Sequence, residues 1–126
     1  VNEPRREALA AAQWWTDRLA HAETPESLAY RGREYRRRPP EQLDAFRRAL
    51  SVEIESILTA GGRQKIEVDY DPDATLCRAA QAAGFSFDLS EMPRKTLMRF
   101  LPEGIDVSQG YGQPFVAIGS EAGGTP

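Results

Sequence analysis

Apolar side chains recur at three- and four-residue spacing from about Glu3 to Ala22, at Ala8, Ala12, Trp15, Leu19 and Ala22. That spacing predicts a first helix with Trp15 on its buried face. Trp14 lies about 100° round the helix from Trp15, so both indoles are covered only if two surfaces close on this helix. A second stripe, Leu43, Phe46, Leu50, Ile54, Ile57 and Leu58, predicts a second helix. Pro39 and Pro40 suit its first turn, where a missing amide costs little. Glu41 and Asp44 complement the helix dipole there, and Gly61-Gly62 ends the helix.

Lys65-Ile66-Glu67-Val68-Asp69-Tyr70 then alternates polar and apolar, which predicts a strand with Ile66, Val68 and Tyr70 inward. From Pro72 to Ala83 the residues Leu76, Ala79, Ala80 and Ala83 share one helical face. Asp71 or Asp73 serves as N-cap and Gly84 as the stop. After a linking stretch with Phe85, Phe87 and Leu89, two strands, Thr96–Phe100 and Ile105–Ser108, flank the turn Pro102-Glu103-Gly104. Phe115–Ile118 forms a last strand beyond Gly110-Tyr111-Gly112. The order α-α-β-α-β-β-β predicts an α+β fold, with two N-terminal helices and a short third helix packed on one face of a small, mostly antiparallel sheet. Trp15, Leu19, Phe46, Leu50, Ile54, Ile57, Val68 and Leu76 are its expected core.

At 126 residues the chain has the size of one domain, expected over residues 1–119, with Ser120–Pro126 as a flexible tail. No apolar stretch approaches the roughly 20 residues that span a bilayer. No basic segment followed by an apolar one opens the chain, so the expected setting is cytoplasmic.

Candidate chemistry is sparse. A lone Cys77 makes no intramolecular disulfide, and with a single His21 it falls short of a conventional zinc site. Nothing in the sequence ties His21 to Cys77 as a base to a nucleophile. The carboxylates Glu67, Asp69, Asp71 and Asp73 resemble a cation loop only superficially. Counted from Asp69, the sixth position lacks glycine and the twelfth is Ala80 rather than a glutamate, so helix capping and solvation explain them better. Gly61-Gly62-Arg63 lacks the lysine and hydroxyl of a phosphate loop. No catalytic residue, metal or cofactor is expected, and the chain reads as a binding protein.

Charge refines that reading. Residues 1–63 carry 11 basic and 10 acidic side chains and residues 64–126 carry 5 and 9, a net of +1 against −4. The basic residues concentrate in Arg31, Arg33, Arg36, Arg37 and Arg38, with Tyr30 and Tyr35 interleaved. Arginine forks beside aromatic rings suit an acidic protein surface or nucleic acid equally, or simply a solvated loop. The overall charge of −3 opposes long-range attraction to nucleic acid and favours protein as the partner. In the second half, Glu67, Asp69, Asp88, Glu91, Glu103 and Asp106 offer an acidic face that a basic, nucleic-acid-gripping surface would accept. Tyr111, between two glycines, either packs or is displayed to a partner, and an exposed Trp14 would mark a homodimer or partner interface.

Several motifs in order point to a family. They are Trp14-Trp15, Val68-Asp69-Tyr70 with Pro72-Asp73, Ala83-Gly84-Phe85, Pro93 with Lys95-Thr96 and Met98, and Gly110-Tyr111-Gly112 with Pro114. Over about Ala12 to Ile118 the chain resembles small bacteriophage and prophage accessory proteins of uncharacterised function, which open on paired tryptophans and close on a Gly-Tyr-Gly turn. The resemblance implies a viral origin and a host-cell setting, and it transfers no catalytic residue. By analogy with other small phage proteins it implies a non-enzymatic inhibitor of a host protein or ribonucleoprotein complex, of the anti-defence or anti-CRISPR kind. The alternative is a small nucleic-acid-binding or regulatory protein that uses the arginine-rich segment.

Overall fold

The computed structural model describes residues 4–20, 39–60, 64–68, 73–86, 95–110 and 112–118. Among these residues the chain forms α1 (Arg6–Ala20), α2 (Pro40–Ala60), β1 (Gln64–Val68), α3 (Ala74–Ala82), β2 (Thr96–Leu101), β3 (Gly104–Gln109) and β4 (Val116–Ile118). The strands make one antiparallel sheet in the order β1-β2-β3-β4, so the α+β architecture and element order expected from the sequence are those observed.

Register follows from the alternation. Ile66, Met98, Val107 and Val116 form one row across all four strands, and Lys65, Arg99, Asp106 and Ala117 form the neighbouring row on the opposite face. Burial on β2 alternates strictly, with Thr96, Met98 and Phe100 inward. The helices cover that inward face. α2 packs between α1 and α3, and α1 reaches β3 and β4. Trp15 is 0% exposed and donates its indole N–H to the Met98 sulfur at 3.2 Å, which joins α1 to the second strand.

Leu19, Phe46, Leu50, Ile54, Val68 and Leu76 are buried with Trp15, as the pattern requires. Ile57 is a correction: it is half-buried, because it lies near the end of α2 and packs against the rim of the core. Ala8, Ala11 and Ala12 are each 0% exposed and present a smooth face along which α1 lies close to its neighbours. Asp73 is the N-cap of α3, accepting from the Thr75 amide at 2.8 Å.

The ends of α1 and α2 are clamped by charge. Arg5 donates through Nε and Nη2 to the two carboxylate oxygens of Glu55 at 3.1 and 3.0 Å, and its own amide adds a third bond at 2.9 Å. These bonds hold the Glu55 carboxyl well below its ordinary 4.5, at about 2. A depressed carboxylate stabilises the fold above its unfolded pKa and loses that contribution as pH falls through the folded value. The clamp therefore acts fully above about pH 4.5 and is lost on descent to about 2. Arg5→Gln should flatten the fall of melting temperature with pH in that window and leave the rest of the profile unchanged. Leu50→Ala, deep in the α2 stripe, should cost about 2–5 kcal/mol in chemical denaturation.

Candidate interaction surface

Between β3 and β4 the chain reverses through two glycines. Gly110 (φ +113°) and Gly112 (φ +80°) hold backbone angles that side chains disfavour, and a Cβ on Gly110 would lie 3.2 Å from Gln113 Cγ. The Gln113 amide donates to the Gly110 carbonyl at 3.1 Å. The buried Ser108 hydroxyl lies 3.0 Å from the carbonyls of both Gly110 and Gln113. This turn brings Gln113 and Pro114 to Trp14 of α1. With Val107, Gln109 and Val116 they line a groove of about 290 Å³ between the helix and the end of the sheet.

Trp14 is half-buried, so the sequence's second indole is covered on one side only. Its ring meets Trp15 edge-on, with centroids 4.9 Å apart. The Arg18 guanidinium, one helical turn later, stands 4.7 Å from the Trp14 centroid and donates to Gln109 Oε1 at 3.3 Å. A cation, an indole and two amide side chains thus stand at or beside an apolar groove.

Across the sheet, Arg99 makes a bidentate pair with Asp106, Nε to Oδ1 at 2.9 Å and Nη2 to Oδ2 at 2.6 Å. The pair raises the Arg99 pKa above its ordinary value, chiefly through the Asp106 hydrogen bond. Phe115 lies over the same guanidinium at 3.6 Å from the ring centroid.

These contacts change the acidic-face reading. Asp106 is bonded to Arg99, and Glu67 pairs with Lys65 at 3.2 Å, so neither is an unopposed charge. Of the acidic residues expected to meet a partner, Glu67, Glu103 and Asp106 are described, and Glu67 and Asp106 lie on the opposite face of the sheet from the helices. Tyr30, Arg31, Arg33, Tyr35, Arg36, Arg37, Arg38, Asp69 and Tyr111 lie outside the described residues, as do His21, Asp71, Asp88, Glu91 and the 120–126 tail. Among the described residues no group of three or more His, Cys, Asp or Glu side chains could hold a metal ion, and no helix is long and apolar enough to cross a membrane. Arg18, Gln109, Gln113 and Val116 were not singled out by sequence. The available signal was Trp14, off the buried stripe, together with the paired glycines before Pro114.

The chain matches no protein-family model and no curated protein. The groove depends on its glycine turn. Gly110→Ala should destabilise the protein by roughly 1–3 kcal/mol, measured by thermal or chemical denaturation, because an L side chain is strained at that angle.

Proposed function

We propose that this chain is a phage-encoded, non-enzymatic protein that binds and inhibits a host macromolecular complex, as anti-defence inhibitors of the anti-CRISPR type do. The family resemblance supports the viral origin. The binding reading is carried by one observation, the Arg18–Trp14 stack beside the groove. Tryptophan and arginine are the residues that most often dominate interface energy, because each combines a large apolar area with a directed polar contact. Here they stand near Val116, 62% exposed, which adds apolar surface to the same region.

The partner is a protein surface, or the protein part of a ribonucleoprotein. Retention of a defined bacterial complex on the immobilised chain should survive nuclease treatment. Reconstituted with the purified complex, Trp14→Ala should weaken binding roughly thirtyfold, the scale of losing one dominant contact of about 2 kcal/mol. The reading fails if retention disappears with nuclease and bare nucleic acid binds instead. In that case log affinity should fall with log salt at about −0.9 per neutralised phosphate on duplex DNA.

A further inference from the structure

Among the described residues, the two outer strands of the sheet, β1 and β4, are finished differently. In an antiparallel ladder, residues alternate between those bonded to one neighbouring strand and those bonded to the other. The Gly110 amide donates to the Lys95 carbonyl at 2.7 Å, one step beyond the Thr96–Gln109 pair, and this fixes the phase. Counting from it, Leu97, Arg99 and Leu101 bond across to β3. Thr96, Met98 and Phe100 therefore turn to β1, and Ile105 and Val107 to β4. On β1 the outward amides are then those of Lys65 and Glu67, and on β4 the outward group is Ala117.

An independent bond agrees with the count: the Glu67 amide points away from β2 and donates to Asp73 Oδ2 at 3.2 Å. One carboxylate thus caps α3 and closes part of the β1 edge, and Lys65 and Glu67 add charge there. Among the described residues β4 has no such protection. Phe115, Val116, Ala117 and Ile118 carry no charge, and nothing among the described residues bonds the outward amide or carbonyl of Ala117.

We propose that a second copy of this chain pairs with β4 in antiparallel fashion, with the two-fold axis at Ala117, to give a continuous eight-stranded sheet. Charge selects this occupant. A two-fold contact brings each side chain close to its own copy, so any charge on the strand would face its own sign. β4 has none, and Asp106, the charged residue paired with Ala117 across the sheet, is already neutralised by Arg99. Shape agrees. The smallest side chain, Ala117, sits where the strands meet themselves and exchange two hydrogen bonds. On the helix side, Val116 of each copy, 62% exposed, faces Ile118 of the other. Val116 also lines the groove, so the two associations share that residue, and sedimentation of the chain alone reads only the pairing of copies.

Sedimentation equilibrium of the purified chain up to about 1 mM tests it. A monomer–dimer equilibrium is expected. Ala117→Pro removes the outward amide while sparing the β3–β4 ladder, and should weaken the dimer at least about tenfold with an unchanged circular dichroism spectrum. If that variant loses its fold, Val116→Lys decides, because it sets a charge against Ile118 of the other copy and should weaken the dimer similarly. A chain that stays monomeric throughout, or a dimer whose affinity the deciding variant leaves unchanged, overturns the proposal.

Discussion

The indole of Trp15 determines how the helices sit on the sheet. A buried indole N–H without an acceptor costs about 1–3 kcal/mol, and the Met98 sulfur on β2 meets that need at 3.2 Å. The bond fixes both the height and the rotation of α1. With that rotation set, Trp14 is carried about 100° round the helix, away from α2 and towards β4. Its half-exposure beside Arg18 follows from the burial of its neighbour. The same placement leaves α1 short of covering β4, which is why Val116 stays 62% exposed although it belongs to the helix-facing row.

Charged residues in this fold act mainly as local ties. Arg5–Glu55 joins α1 to α2, Arg78–Glu53 joins α3 to α2, and Arg99–Asp106 spans the hairpin. Exposed ion pairs contribute little apiece, but the hairpin pair is bidentate and covered by Phe115, so it holds geometry as well as charge. Two members of the acidic set expected in the second half, Glu67 and Asp106, are therefore paired charges. At Asp106 and Glu67 the negative charge is answered by an arginine or a lysine on the same side of the sheet.

The sequence made the elements legible wherever one period held. The α2 stripe from Phe46 to Ile54 and the alternation around Ile66 and Val68 each follow from a single face being buried. An aspartate N-cap for α3 was also legible, as Asp71 or Asp73, and the structure gives the role to Asp73. Its second bond, to the Glu67 amide, was not, because a strand edge is a property of the assembled sheet. The Arg99–Asp106 pair depends on the turn being the two residues Pro102-Glu103, one shorter than the Pro102-Glu103-Gly104 turn expected from the sequence; with Leu101 opposite Gly104, counting outward places the two opposite each other. The groove was not within reach. It joins Trp14 to residues about a hundred positions later, and no local pattern encodes that meeting.

An uncharged, unpaired strand edge is normally a hazard, because it templates open-ended association. Two features of this sheet bound that hazard. β4 is three residues long, so the alternation leaves Ala117 as its one outward residue within the strand. The opposite edge, β1, is occupied at Glu67 by Asp73 and carries Lys65 and Glu67. A β4 edge meeting a β1 edge head to tail would extend without limit, but it would have to displace a carboxylate from its amide and bring charged residues against Val116 and Ile118. Among the described residues, a β4 edge meeting another β4 edge displaces no hydrogen bond and leaves the β1 edges, guarded at Glu67 by Asp73, outermost. The asymmetry between the two edges thus favours closed pairing over a growing ribbon, and it traces to a single aspartate that the sequence places six residues beyond the amide it covers.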